Sequence, residues 1–375
     1  MPLYMDFHQF DKISVEDVKQ AHIADQAVQD EFGVRYLQFW VNEKAGTVFC
    51  LTEGPNPESC ERCHQLAHGN IPCNITEVEP GFFKLFMGDG QPIDHGLVMT
   101  NEGQVDSANR TILVADIRGY TAIRDSEDYK RLVVPTQPKN QVVDSLAAFN
   151  GRFIEHSVDD SLVGVFSSPM NAIRCAVALQ KDLLKMTTKQ DRDDEWNIEF
   201  RLALSNGQPL TEKEGFFEVA TKQAKRLCMM AGVNQIVIST GLKDLYHMEV
   251  EAANTLRSSL VKVLSQPEEV FLHELYELTE ENYQAESFNV NKLCEMIGIS
   301  RPQLYRKTSA LTGKSPNLFI RDLRMQKAWN MLKEKKGNVS EVAMEVGYSN
   351  LSAFSKVFYQ SFGCKPSNIQ QTTVN

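Results

Sequence analysis

The stretch VNKLCEMIGISRPQLYRK (290–307) returns as VSEVAMEVGYSNLSAFSK (339–356), an offset of 49 residues. Val290 answers Val339, Gly298 answers Gly347, Ser300 answers Ser349, Tyr305 answers Phe354 and Lys307 answers Lys356. Each copy reads as a short amphipathic helix, a Gly that permits a left-handed exit, and a Ser suited to cap the next helix. Pro302 falls in the first turn of that next helix, where its missing N–H costs little. Helix, Gly turn, helix is a helix-turn-helix. Between the copies, PNLFIRDLRMQKAWNMLKEKK carries Leu318, Phe319, Leu323, Met325, Ala328, Met331 and Leu332 at helical spacing. A helix of about 20 residues spans ~30 Å. One turn of B-DNA is ~34 Å, so both second helices can enter successive major grooves on one face.

Charge supports that reading. Residues 287–375 hold 13 Lys+Arg against 5 Asp+Glu, a net of +8. The remaining 26 basic and 44 acidic residues leave 1–286 at −18, so the overall −10 averages two different bodies. A basic segment on an acidic body suits a nucleic-acid-binding end carried by something else. With 375 residues, 42% hydrophobic and 23% charged, the chain has the composition of two to four globular domains. No apolar run approaches the ~18 residues of a membrane span, and MPLYMDFHQF lacks the pattern of a signal peptide. The expected compartment is the cytoplasm, with no membrane partner.

The signature GYSNLSAFSKVFYQSFGCKPSNIQ, preceded by SRPQLYRKTSALTGKSPNLFIRDLRMQKAWNMLK, resembles the DNA-binding domain of the AraC family of transcription regulators over about 267–371. The resemblance implies double-stranded DNA as partner. It puts Arg301, Gln303, Arg306 and Lys307 of the first unit, and Asn350, Ser352, Ser355 and Lys356 of the second, toward the duplex. Arg and Lys suit guanine or phosphate, and Gln and Asn suit adenine. Leu304, Tyr305, Phe354 and Phe358 read as core.

Residues 1–88 read as strand, helix, strand, strand, helix, strand, the ferredoxin-like βαββαβ order. Four of the eight cysteines (Cys50, Cys60, Cys63, Cys73) and four of the eight histidines (His8, His22, His64, His68) fall here. Cys60, His64 and His68 stand at i, i+4 and i+8 of the second helix, one stripe, with Cys63 beside them on the expected core face. His8, His22 and Cys50 can converge on it from two strands and the first helix. Imidazole and thiolate suit Ni²⁺ or Zn²⁺. The runs MDFHQF, QAHIADQAVQDEFGVRYLQFWV, GTVFCLTEGP and CHQLAHG resemble a family of small ferredoxin-like proteins with nickel-responsive members. That resemblance implies metal at His8, His22, Cys50, His64 and His68; Cys60 joins the candidate set from its spacing.

Residues 110–250 alternate strand and helix. Asp116 and Asp159 or Asp160 fall at neighbouring strand ends, where paired carboxylates could hold Mg²⁺ on a nucleotide. From ADIRGYTAI through RLALSNGQPL to KQAKRLCMMAGVNQIVIS the segment resembles a class III nucleotide cyclase, with Arg226 retained. It departs where the chemistry is most demanding. A base-reading Lys is replaced by Glu155 or His156, and a transition-state Asn by Lys222. Negative charge beside a polyanionic substrate weakens binding. The expectation is a degenerate cyclase-like domain with no catalytic residues.

The expected architecture is multidomain α+β, two ferredoxin-like or cyclase-like α+β domains followed by an all-α double helix-turn-helix domain. Its boundaries are a metal domain at 1–88, a linker at 89–109, the cyclase-like domain at 110–250, a connector at 251–266 and the DNA-binding domain at 267–371. The expected function is a DNA-binding transcription regulator, a homodimer controlled by metal, nucleotide or both. The alternative is an active adenylate or guanylate cyclase tethered to DNA.

Overall fold

The computed structural model describes residues 1–88, 90, 92–100, 103–121, 136–154, 161–188, 196–246 and 261–371. It holds two six-stranded sheets followed by a helical region. The multidomain α+β expectation is met at that level.

The first sheet begins with β1 (Leu3–Gln9), α1 (Val15–Phe32), β2 (Arg35–Asn42), β3 (Thr47–Glu53), α2 (Pro57–Ala67) and β4 (Asn74–Glu77), the order read from the sequence. Its strands run β4-β1-β3-β2, antiparallel. Alternation along β1 sends Met5 and Phe7 to one face and Asp6 and His8 to the other. In β3 the same rule separates Phe49 and Leu51 from Val48 and Cys50. The first face packs on α3 (Pro80–Met87); the second lies under α1 and α2.

The stretch 89–109, expected as a linker, instead adds β5 (Pro92–Ile93) and β6 (Leu97–Val98) to the sheet beside β2. A run of two residues per strand carries no periodicity to read, which is why the sequence concealed it.

The second sheet has the order β12-β11-β10-β7-β9-β8. Its elements are β7 (Arg110–Thr121), α4 (Thr136–Ala148), β8 (Arg152–Ile154), β9 (Leu162–Phe166), α5 (Pro169–Thr188), β10 (Trp196–Gly207), α6 (Glu218–Met230), β11 (Ile236–Ile238), α7 (Thr240–Tyr246) and β12 (Val261–Val263). Both faces are apolar, so the long strand β7 reads as a continuous run. Leu113, Ala115 and Ile117 face α4 and α5, while Ile112 and Val114 face α6. Asp116 shares the α6 side. The connector expected at 251–266 contributes its described part, β12, to this same sheet, parallel to β11.

The helical region is α8 (Gln266–Asn282), α9 (Val290–Ile297), α10 (Arg301–Thr312), α11 (Pro316–Lys333), α12 (Val339–Glu345), α13 (Leu351–Phe362) and α14 (Pro366–Gln371). Helices α9–α10 and α12–α13 are the two copies of the repeat, and α11 joins them.

The two sheets meet at α3. Phe82 and Phe86 pack against Phe216 and Phe217, with Phe86 and Phe217 stacked at 4.7 Å between ring centroids. The last carbonyls of α3 have no helical partners, and two arginines from the second sheet supply donors. Arg110 donates from Nε to the Phe86 carbonyl (3.0 Å) and from Nη2 to that of Met87 (3.1 Å). Arg152 donates to the carbonyls of Leu85 and Phe86, both at 2.7 Å. Asp106 receives Arg110 in a fork, at 2.9 and 2.8 Å. Because Arg110 is only 1% exposed, its charge depends on that carboxylate. Asp106→Ala is therefore expected to cost about 3–5 kcal/mol in denaturant unfolding, through the stranded guanidinium. A loss within about 0.5 kcal/mol, as at an ordinary surface position, would contradict this account of the joint.

Candidate nucleic-acid interface and metal pocket

The two helix-turn-helix units are built by caps at nearly every helix start. Asn289 caps α9, and Gly298 leaves it at φ +74°. Ser300 caps α10 in a reciprocal box with Gln303. Ser315 caps α11, and Asn338 caps α12. In the second unit the expected cap on Ser349 moves one residue on. Asn350 accepts from the Ala353 N–H at 2.9 Å, while the Ser349 hydroxyl bonds to Glu286. Gly347 allows the chain to pass close to α8: a Cβ there would stand 2.8 Å from the Tyr283 carbonyl oxygen. Arg324 of α11 ties the same loop down, donating to the carbonyls of Tyr283 and Ala285, both at 2.8 Å.

Helix α11 gives each half of its length to one unit. Phe319, Ile320 and Leu323 pack with Leu293, Leu304 and α8. Met325, Ala328 and Leu332 pack with Val342, Phe354 and Phe358. Leu304, Phe354 and Phe358 are core, as expected. Tyr305 is half-buried, its hydroxyl accepting from Asn317 Nδ2 at 2.9 Å.

Of the eight residues expected to face DNA, Arg301, Gln303, Arg306, Lys307, Asn350, Ser352 and Lys356 are exposed, and Ser355 is half-buried. Four have second tasks, Arg301 among them with its guanidinium 5.7 Å from the Tyr305 ring centroid. Gln303 and Asn350 spend their carbonyl oxygens on caps, leaving the amide nitrogens outward as donors. The Lys307 ammonium lies 5.1 Å from the Phe271 ring centroid, turned toward α8.

The first domain gathers a different chemistry. A cavity of about 110 Å³ between the sheet and its helices is lined by His8, His22, Asp25, Cys50, His64 and His68, among others. His64 is the centre: Nε2 is 3.0 Å from Asp6 Oδ2 and Nδ1 is 3.1 Å from Asp25 Oδ1. Asp6 also meets His8 Nε2 at 3.3 Å, and Asp25 meets His68 Nε2 at 3.2 Å. The ligand atoms of Asp6, His8 and His64 lie within 4.8 Å of one another, as do those of Asp25, His64 and His68. Burial works against a charge on His64, but the two carboxylates outweigh it and push its pKa up to about 10. Burial lowers His22 to about 4, and both of its ring nitrogens are buried with no hydrogen-bond partner. An orphaned imidazole beside a His, Cys and carboxylate set fits a borderline cation.

Asp6 and Asp25 were not foreseen, although Asp-x-His on β1 and His-x-x-Asp on α1 are same-face spacings. Cys60 belongs elsewhere. It is fully buried with Tyr4, Val34, Tyr36 and Cys63, away from the cavity, and burial raises its thiol to about 12. Its apolar surroundings, not helix spacing, decide its role. Leu66, on the same helix, is 58% exposed.

In the second sheet Asp116 Oδ2 accepts from Arg201 Nη1 at 3.2 Å, and Arg226 is bound to Glu277 of α8 at 2.5 Å. Asp159 and Asp160, with Glu155 and His156, lie outside the described residues. Asp116 and Arg226 thus serve ion pairs, one of them to the helical region. This leaves the Mg²⁺–nucleotide expectation without support.

Residues 293–372 match the family model described as a helix-turn-helix domain, and residues 4–78 match that of the nickel responsive protein SCO4226-like. Histidine kinase P4 of Formosa agariphila is 33% identical over 107 residues, 28% of this chain and 8% of that protein. The HTH-type transcriptional regulator MtrA of Neisseria gonorrhoeae is 32% identical over 81 residues, 22% of this chain and 27% of the relative. The chain therefore spans under a third of either relative. The crystal structure of SCO4226 from Streptomyces coelicolor A3(2) is 38% identical, covering 20% of this chain and 94% of that one, with a TM-score of 0.20. The chain carries an SCO4226-like domain at its N-terminal end and an AraC-type helix-turn-helix DNA-binding domain at its C-terminal end. Among the described residues no helix is long and apolar enough to cross a membrane.

Asn350 can be divided into its two tasks. Asn350→Asp keeps an N-cap of similar strength but removes the outward donor. Thermal unfolding should be unchanged, while DNA affinity at fixed salt should fall at least about tenfold. Asn350→Ala should lose about 1 kcal/mol of stability as well. Equal DNA affinity for Asn350→Asp and the parent would leave Asn350 a cap alone.

Proposed function

We propose that the chain is a sequence-specific DNA-binding transcription regulator whose N-terminal domain senses a metal ion. The observation that carries the DNA reading is the pair of capped helix-turn-helix units on one 18-residue helix, α11, with their second helices exposed. At ~1.5 Å per residue that helix is ~27 Å long, which suits contacts about one duplex turn apart. The regulator relatives add weight to this reading.

The metal reading rests on the orphaned His22 and the chemistry around it. His8, His22, His64, His68 and Cys50 would hold Ni²⁺ or Zn²⁺, with Asp6 and Asp25 ligating or orienting the imidazoles. A bound divalent ion would supply positive charge and fixed geometry. The chain provides a path outward from the pocket. Gly96, at φ +109°, presses on His22, so that a Cβ there would stand 3.1 Å from Nε2. The neighbouring Asp94 is bridged to Lys19 of α1 at 2.5 Å. That segment continues through Asp106 into β7. A ligand that favours one arrangement of the segment would shift the population of DNA-competent chains. An active cyclase is not favoured. Lys222, at the place of the Asn, is held by Glu218 at 2.5 Å and Glu214 at 3.5 Å.

Two measurements test the proposal. In Ni²⁺ and Zn²⁺ titrations of chelator-free full-length protein, at least one ion should bind stoichiometrically, and Asp25→Asn should weaken it about 10–100-fold. Absence of affinity for both ions removes the sensor. Fluorescence anisotropy with operator-length DNA at fixed salt should then show affinity that the ion changes. DNA binding indifferent to the metal would leave a regulator with another input. Production of cyclic nucleotide from ATP or GTP would restore the cyclase alternative.

A further inference from the structure

The second sheet and the helical region enclose a cleft that the proposed function does not use. Its larger cavity, about 360 Å³, is walled by Asp116 and Arg201 from the sheet, Tyr276 from α8, and Arg321 and Gln326 from α11. That volume lies within the range of small-molecule sites. A neighbouring cavity of about 250 Å³ shares Asp116, Tyr276 and Gln326 and adds the cations Lys225, Arg226 and Lys327.

Two observations set this cleft apart from ordinary interdomain space. Arg201 is 93% buried, and its Nε has no hydrogen-bond partner. Arg321 Nε, from α11, is also buried without a partner, on a side chain 40% exposed. An unsatisfied buried donor is destabilising, and on a guanidinium it calls for an oxyanion acceptor. One or both terminal nitrogens meet carboxylates: Arg201 Nη1 with Asp116 (3.2 Å) and Nη2 with Glu199 (3.9 Å), Arg321 Nη2 with Asp322 (3.4 Å). Each guanidinium has five N–H donors, so both keep donors unspent beside these carboxylates.

We propose that this cleft binds a small oxyanion-bearing molecule, a phosphate or carboxylate, held between Arg201 of β10 and Arg321 of α11. Such a ligand bridges the middle domain and the helix that sets the spacing of the two recognition helices. It therefore favours one relative placement of them and changes DNA affinity. Binding stands independently of the regulator reading; its consequence for DNA rests on it.

Full-length protein is titrated calorimetrically with inorganic pyrophosphate and, separately, with succinate, at constant ionic strength in chloride. At least one probe binds the parent, and which one assigns phosphate or carboxylate chemistry. Arg321→Gln weakens that binding at least tenfold, as does Arg201→Lys, which keeps the charge but not the fork. Arg306→Gln, on the DNA-facing side, leaves it unchanged. No binding of either probe overturns the proposal, as does binding abolished by Arg306→Gln and untouched by Arg321→Gln. The bound probe changes DNA affinity in the parent and not in Arg321→Gln; an unchanged affinity overturns the coupling. If the parent binds no DNA under any condition, the regulator reading fails while the titrations still decide the cleft.

Discussion

Helix α8 is the constraint on which the rest of the molecule depends, because it must satisfy two bodies at once. Phe271, Leu272, Leu275 and Tyr276 are buried in a single apolar cluster that runs from Met5 in the first sheet to Leu323 in α11. That cluster passes through Phe86 and Phe217 at the first joint and through Leu227 and Met230 of α6 at the second. A DNA-binding domain on a flexible tether would report nothing about its neighbours. Here α8 packs on α6, α9, α10 and α11, so a displacement of the second sheet reaches the first helix-turn-helix through side chains in contact. Polar ties follow the same route: Arg226 to Glu277, and Lys262 Nζ to the Ala310 carbonyl at 2.6 Å.

The first joint obeys similar logic with other chemistry. A ferredoxin-like sheet has one face without helices, and in this chain α3 and the aromatic cluster cover it. Covering it with Phe82, Phe83 and Phe86 removes a large apolar surface from water. It also leaves the end of α3 inside the protein, where Arg110 and Arg152 satisfy the carbonyls of Leu85, Phe86 and Met87. The His- and Asp-lined pocket lies on the other face of the same sheet, a single strand-thickness away. His8 lines the pocket and Asp6, on the same face, meets His64, while the intervening Phe7 points into the shared core.

Much of this was legible in the residues, for reasons that differ by region. The helix-turn-helix repeat declared itself because caps, Gly turns and period-3.6 apolar positions are local and recur at a fixed offset. The pocket was half legible. His8, His22, Cys50, His64 and His68 were found by type, but Asp6 and Asp25 were hidden among 49 acidic residues until the fold brought them to His64. Cys60 misled because a helical stripe says which residues align, not what they face. The short strands β5, β6 and β12 were invisible for want of length. No periodicity could reveal the ion pair of Asp116, which depends on the register of β7 against β10, or that of Arg226, which depends on how α6 meets α8.

The central claim is that the two units act together on one face of a duplex, fixed at their spacing by α11. A hydroxyl-radical footprint on a bound operator tests it most directly. The account predicts two protected segments centred about 10 base pairs apart, one turn of the helix, with Arg306→Ala erasing one and Lys356→Ala weakening the other. A single protected segment, or two whose separation varies from one site to another, would contradict it.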